Sequence, residues 1–243
     1  VATLAAQGAQ VVVLPEKIGG LLTTAQAQAW QRQMSGWAAR YRVWLEAGVG
    51  VERTGGHLNV AWLFAPDGQL LDTYQKHYLA PPEQAFAAGQ AYTVRAVAGQ
   101  PVGLAICKDL HFAALGRAYA RRRVGALLVP AWDFDPDGQL AERMTATHGV
   151  ENGYLIVRAA RNGLLTVSDA YGRVVAERLS RRLPGQTLLV RTPVSPLVPT
   201  LYTRLGDALG WLCVAAGAGL LLTSRGVSRR SESTPRRAGS LVR

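Results

Sequence analysis

The chain has 243 residues, 49% of them hydrophobic and 18% charged, which excludes a wholly disordered polymer and supplies one sizeable core with appendages. Two cysteines, Cys107 and Cys213, exclude a disulfide framework. The net charge of +11 is uneven: residues 224–243 hold six arginines against one acid, Glu232, so +5 of it belongs to the tail and nothing else points to a nucleic-acid partner.

The chain opens on Val1. Val1–Gly8 reads as the end of a helix closed by glycine, no signal peptide is visible, and the expectation is a fragment of a longer protein. Gln10–Leu14 is a continuous apolar run that predicts a strand buried on both faces and stopped at Pro15-Glu16-Lys17. Ala25–Ala47 predicts a helix. Trp30, Met34, Trp37, Tyr41 and Trp44 recur at spacings of three and four and form a core stripe, and Gly48 and Gly50 end it. Leu58–Phe64 and Leu70–Tyr74 predict a hairpin about Pro66-Asp67-Gly68, which delivers Gln75-Lys76-His77-Tyr78-Leu79. Tyr92–Ala98 predicts a strand that turns through Gly99-Gln100 into Val102–Cys107, an apolar strand ending on its cysteine. A helix over Ala113–Arg123 carries arginines at its C-terminus, where they complement the dipole. Ala126–Val129 predicts a third buried strand, ending at Pro130-Ala131-Trp132-Asp133. A helix over Leu140–Glu151 is followed by strands at Tyr154–Ala159, Leu164–Ser168, Val174–Glu177 and Thr187–Val190. Strands alternating with helices and mixed with hairpins give an α/β class, a mixed sheet covered by helices.

Residues 193–203 form a linker stiffened by Pro193, Pro196 and Pro199. Ala208–Leu222 carries no charge. With Leu205 and Gly206 it approaches the ~20 residues that cross a bilayer. Asp207 would sit at the interface, with Tyr202 and Trp211 as interfacial aromatics. A transmembrane helix is expected over 204–223, the alternative being a buried C-terminal helix. The arginine-rich tail, 224–243, is too polar to fold alone. The positive-inside rule then places the tail in the cytoplasm and residues 1–192 on the outer side.

Glu16, Lys76 and Cys107 each follow a strand, where sheets of this class place their sites. Singly, each has an ordinary reading: a solvated turn glutamate, a surface lysine, a buried core thiol. Together their chemistry is complementary. Glu16 takes the thiol proton, Cys107 attacks a carbonyl carbon and forms a thioester, and Lys76 stabilises the oxyanion. Lys108, next to the cysteine, either lowers the thiol pKa or points away into solvent. The four histidines, His57, His77, His111 and His148, show no zinc spacing, so neither metal nor cofactor is expected.

This order and context resemble the nitrilase, or carbon–nitrogen hydrolase, superfamily over about Leu4 to Val190. The motifs that carry the resemblance are Val12-Val-Leu-Pro-Glu16, Tyr74-Gln-Lys76-His77-Tyr-Leu79 and Gly103-Leu-Ala-Ile-Cys107-Lys-Asp109. Glu83 with Phe86 and Gly89, Val129-Pro-Ala-Trp132, Val150-Glu-Asn-Gly-Tyr154, Arg161-Asn-Gly163 and Ser168-Asp-Ala-Tyr-Gly-Arg-Val174 support them. The resemblance implies an αββα sandwich whose subunits usually pair sheet to sheet, with a family opening strand lying upstream of Val1. It also implies a triad mapped to Glu16, Lys76 and Cys107. Glu83 is similar to the second glutamate that many members place after the lysine loop, and Trp132 and Lys108 stand as supporting residues.

Within the superfamily, the expected span and the segment Thr200–Asp207 resemble the apolipoprotein N-acyltransferase branch. Enzymes of that branch sit in the bacterial inner membrane with the catalytic domain facing the periplasm. Lys108-Asp109 departs from that branch's Tyr-Glu. The expectation is a membrane-anchored, amidase-like enzyme acting on an amide or acyl-ester substrate. One alternative moves a fatty acyl group from phospholipid to a lipoprotein N-terminus. Another is a non-catalytic membrane interaction module whose tail binds anionic lipid.

Overall fold

Alternating apolar residues sort the strands into two sheets, and helices cover the outer face of each. The computed structural model describes residues 1–134, 138–180 and 185–231, with side chains described as far as 222. Two units divide the chain, Val1–Thr203 and Arg204–Arg243. In chain order the elements are α1 (Ala2–Ala6), β1 (Val11–Leu14), β2 (Leu21–Leu22), α2 (Thr24–Tyr41), β3 (Trp44–Val51), β4 (Leu58–Phe64), β5 (Leu70–Gln75), β6 (Val94–Val97), β7 (Gln100–Leu104), α3 (Ala113–Arg121), β8 (Ala126–Trp132), α4 (Gly138–Asn152), β9 (Leu155–Arg161), β10 (Leu164–Ser168), β11 (Val174–Leu179), α5 (Leu201–Leu205) and α6 (Ala208–Ser231).

The first sheet runs β1-β3-β4-β5, with β2 also on β3; β1 and β2 lie parallel to β3 and the remaining pairs are antiparallel. The second runs β11-β10-β9-β8-β7-β6, with β7, β8 and β9 mutually parallel between two hairpins. Period-two alternation gives each strand two packing faces. Leu45, Ala47, Val49, Trp62 and Phe64 meet Met34 and Ala38 of α2. Ala61, Leu63 and Tyr74 face inward onto Val102, Leu104, Ile106 and Leu128. Leu127, Val129 and Ile156 face outward onto Leu115, Tyr119 and Ala120 of α3. The layers are therefore helix, sheet, sheet, helix.

Several expectations change. The helix predicted to run to Ala47 stops at Tyr41, because Arg42 turns left-handed (φ 52°) and the chain continues as strand from Trp44. The stripe that reached Trp44 was coincidental spacing, overridden by sheet pairing. Gly48 and Gly50 lie inside β3 rather than ending a helix. β1 is not buried on both faces: only Val12 is fully buried, since β1 is an edge strand. A cavity of about 1710 Å³ runs beside that edge, lined by Val11, Val13, Val97, Leu128, Val157 and Leu189 among others. Thr187–Val190 is not a strand, because no neighbouring strand pairs with it; Arg178 Nη1 donating to the Thr187 carbonyl (3.0 Å) is a side-chain contact only. Cys107 does not end a strand either. β7 closes at Leu104, and Cys107 opens a 3₁₀ turn, Cys107–His111.

In the second unit, the helix expected over 204–223 is interrupted: Gly206 turns left-handed (φ 56°) between α5 and α6. Leu209, Trp211, Leu212 and Val214 are exposed. Among the described residues no helix is long and apolar enough to cross a membrane. The backbone of α6 extends to Ser231, into the segment expected to be irregular; the rest of the tail lies outside the described residues.

Candidate active site

Pro15 ends β1 and throws Glu16 into a turn held by two hydrogen bonds. The Glu16 N–H donates to the Ala131 carbonyl (3.2 Å) and the Ile18 N–H to the Gly48 carbonyl (3.1 Å). Gly48 is what allows the turn to close on β3. A Cβ there would lie 2.6 Å from Glu16 Cα and 2.8 Å from the Pro15 carbonyl oxygen. Lys76 follows β5, its N–H donating to the Asn59 carbonyl on β4 (2.9 Å). Glu83 ends the short 3₁₀ turn Pro81–Glu83. Cys107 has φ 45°, a left-handed conformation costly for a residue with a Cβ, and Asp109 fastens its turn from below. The Asp109 carboxylate accepts from the N–H groups of Ile106 (2.9 Å), His77 (3.0 Å) and Tyr78 (2.8 Å) and from the Tyr74 hydroxyl (2.7 Å). The cysteine turn and the lysine loop are thus pinned to one carboxylate.

These turns bring Glu16, Lys76 and Glu83 into one buried network. Lys76 Nζ donates to Glu16 Oε1 and Glu83 Oε2, both at 2.9 Å. Asn59 Nδ2 donates to Glu16 Oε1 (2.5 Å) and Glu83 Oε1 (2.6 Å). Lys17 Nζ pairs with Glu83 Oε1 at 2.5 Å, and the Ala80 N–H donates to Glu83 Oε2 at 2.8 Å. Glu16, Lys76 and Glu83 are 2%, 2% and 3% exposed, so solvent screens little of this.

The electrostatics follow from burial and neighbours. Burial disfavours the Lys76 ammonium, but Glu16, Cys107 and Glu83 together hold its pKa above the ordinary value. Burial would raise Glu83, yet Lys76, Lys17 and the Ala80 N–H bring it down to about 2. Burial, then Glu16, pushes the Cys107 thiol up to about 12, opposed by Lys76 and Arg158. Cys107 therefore rests as a neutral thiol in electrostatic reach of a carboxylate and a fixed ammonium. Its Sγ donates to the Trp132 carbonyl (3.6 Å).

Trp132 also lines the site with its ring. Phe134 stacks on it at 5.6 Å, Arg161 lies 3.6 Å over it, and Lys17 Nζ is 5.9 Å from its centroid. Lys108 is half-buried on the cysteine turn, and the cations that act on the thiol are Lys76 and Arg158. Its charge is felt by His111, whose pKa burial and Lys108 lower. Arg158 is itself paired with Asp133 (2.9 Å). Among the described residues no group of three histidine, cysteine or acidic side chains is placed to hold a metal.

The sequence reading did not single out Asn59, Lys17 or Asp109. A signal for Asn59 existed: it shares a strand face with Ala61 and Leu63, where an amide must be buried and bonded. Lys17 and Asp109 carried none, since their partners come from distant loops.

Comparison with known proteins agrees with this fold. The omega-amidase NIT2 of Danio rerio is 29% identical over 145 residues, covering 52% of this chain and 52% of its own; the chain thus spans about half of that relative's length. The crystal structure of an amidase from Nesterenkonia sp. superposes with a TM-score of 0.71 at 24% identity, over 85% of this chain and 84% of that one. A structure of that amidase with its cysteine replaced by alanine, bound to butyramide, gives a TM-score of 0.71 at 23% identity over the same shares, and supports the fold alone. A family model for carbon–nitrogen hydrolases, an enzyme family, matches residues 1–197. The chain belongs to the carbon–nitrogen hydrolase family.

Proposed function

We propose that the chain is a cysteine-dependent amidase that cleaves the carbon–nitrogen bond of a carboxamide through a thioester on Cys107. The observation that carries this is Lys76 held between Glu16 and Glu83 in electrostatic reach of the Cys107 thiol. A thiol raised to about 12 does not ionise alone at neutral pH and needs a base. Glu16 accepts the thiol proton as sulfur attacks the amide carbon. Lys76, cationic throughout, stabilises the oxygen that becomes negative. Collapse expels the amine, which takes the proton back from Glu16, and leaves the acyl group on sulfur. Water then enters, gives a proton to Glu16 and adds its oxygen to the thioester. The acid departs and the thiol is restored. Glu83, held ionised by two lysines, keeps Lys76 charged and aimed. Amidase relatives support the reading. Ammonia release from short aliphatic amides tests it: turnover by the full chain that disappears in Cys107→Ala, with unfolding behaviour unchanged, is the expected result. Turnover that survives the substitution sinks it.

A second reading keeps the thioester and changes the acceptor. The uncharged stretch Ala208–Leu222, with Leu209, Trp211 and Leu212 exposed, favours anchoring at a membrane with the catalytic unit on its outer side. The acyl donor would then be a phospholipid and the acceptor a lipoprotein N-terminal amine. Flotation of the full chain with phospholipid vesicles, together with a fatty-acyl adduct on Cys107, would favour it. Partitioning to the aqueous fraction with amide turnover would favour the amidase.

A further inference from the structure

Glu16, Lys76, Glu83 and Asn59 form a closed ring of hydrogen bonds. Lys76 Nζ joins Glu16 Oε1 to Glu83 Oε2, and Asn59 Nδ2 joins Glu16 Oε1 to Glu83 Oε1. The thioester mechanism gives work to the first three and leaves Asn59 idle. Asn59 is fully buried on β4, opposite Gly50 of β3, so the position beside it on that face carries no side chain and both carboxylates reach it from loops. Its backbone carbonyl accepts the Lys76 N–H, so this one residue is bonded to all three of the others. Both amide protons go to carboxylates, while Oδ1, equally buried, has no hydrogen-bond partner. Turning the amide over would set Oδ1 against two carboxylate oxygens. The unpaired oxygen is therefore the consequence of aiming both protons, and a buried polar group left unpaired is a cost that calls for an explanation.

The explanation lies in Glu16. The last torsion of a glutamate side chain is broad and two-fold, so a single bond from Lys76 would leave the carboxylate free to turn and offer either oxygen. Two donors on Oε1 remove that freedom. Among the described residues Glu16 Oε2 accepts no hydrogen bond, which leaves its lone pairs uncommitted. A neutral amide achieves this without adding a third cation to Lys76 and Lys17, which would weaken the carboxylate as a base. We propose that Asn59 is a positioning residue that locks Glu16 through Oε1 and so reserves Oε2 as the oxygen that takes the Cys107 proton. The inference rests on the amidase reading for the identity of the base, but its thiol arm is independent of amide turnover.

The test has two arms. In the first, kcat and KM for butyramide are measured for the full chain, Asn59→Ala and Asn59→Asp, with an unfolding curve for each. Asn59→Asp keeps the shape of the side chain and removes its amide protons, so it separates donation from packing. In the second, alkylation of Cys107 by iodoacetamide at neutral pH is followed by peptide mass, with the exposed Cys213 of the same chain as reference. It is run on the same variants, on Glu16→Gln, and on Glu16→Gln combined with Asn59→Ala. In both Asn59 variants kcat is expected to fall about a hundredfold with KM nearly unchanged, and Asn59→Asp is no better than Asn59→Ala. The rate at Cys107 relative to Cys213 falls about tenfold or more in each, and in the Glu16→Gln background Asn59→Ala lowers it no further. An unchanged kcat in folded Asn59→Ala overturns the proposal. So does activity in Asn59→Asp well above that of Asn59→Ala, as a space-filling role would give, or alkylation losses that add in the double variant. If butyramide is not turned over by the full chain, the amidase reading fails, and the alkylation cycle still decides. A Cys107 rate that depends on Asn59 only while Glu16 is present supports the proposal; one independent of Asn59, or equally dependent on it without Glu16, overturns it. The same cycle decides if Asn59→Asp does not fold.

Discussion

The Tyr74 hydroxyl donates to Asp109 Oδ2 at 2.7 Å and so ties the strand leading into Lys76 to the turn that opens at Cys107. The same carboxylate takes three backbone N–H groups from both sides of this junction. Asp109→Asn places an amide nitrogen against N–H donors and leaves at least one unpaired. We expect a loss of about 2 kcal/mol in denaturant unfolding. We also expect a fall in kcat of about a hundredfold, because a displaced nucleophile misses its near-attack geometry. A kcat unchanged in the folded variant would show that the clamp does not set the geometry.

Glu83 makes acid stability a readout of the network. Its carboxyl titrates at about 2 in the folded chain against an ordinary 4.5, so folding favours its ionised form. The contribution is complete above about pH 4.5 and drains away as pH falls toward 2. Urea unfolding across that window should lose stability steeply in the native chain and less steeply in Glu83→Gln. Parallel profiles would mean that the Lys17 and Lys76 pairings persist in the unfolded chain or contribute nothing.

Glu46 predicts the opposite slope. It lies on β3 between Val13 and Leu63, fully buried, with neither carboxylate oxygen hydrogen-bonded. Burial raises its pKa well above 4.5, so the fold retains a proton that the unfolded chain releases. Its contribution to stability is therefore most favourable below pH 4.5 and declines as pH rises above it. Glu46→Gln keeps the shape and removes the titration. It should be more stable than the native chain by about 1–3 kcal/mol near pH 8 and indistinguishable from it near pH 4. Equal stability at both pH values would contradict this.

Gly48 and Gly36 form a controlled pair. Alanine at Gly48 would press on the Pro15–Glu16 backbone, whereas at Gly36, inside α2, nothing lies within 4 Å. Gly36→Ala should stabilise the chain by about 0.5–1 kcal/mol through helix propensity, with kinetics unaltered. Gly48→Ala should lower kcat at least about tenfold by shifting Glu16, in excess of any loss of stability. Both quantities can be read from one set of purified variants.

Much of the fold was legible because the second sheet is built from apolar runs bounded by turn residues, and Leu164–Ser168 falls where its pattern puts it. Glu16 and Lys76 were legible for a related reason: each stands just beyond such a run, and strand ends converge. The failures were tertiary. Trp44 continues the spacing of a helix that Arg42 ends, and Thr187–Val190 reads as a short apolar strand but has no neighbour to pair with. Asn59 joins Glu16 from 43 positions away, and Arg161 reaches Lys17 across 144, separations that no local pattern encodes. The carboxylates between which Lys76 is held could be named from the sequence, but the amide that bridges them could not.

The most direct measurement is rapid-quench intact-mass spectrometry of the full chain during turnover of butyramide, with peptide mapping of the adduct. The account predicts a butyryl increment on Cys107 that forms as ammonia is released, decays with acid formation, and is absent in Cys107→Ala. Ammonia release with Cys107 unmodified throughout, or a butyryl group mapped to another residue, would contradict it.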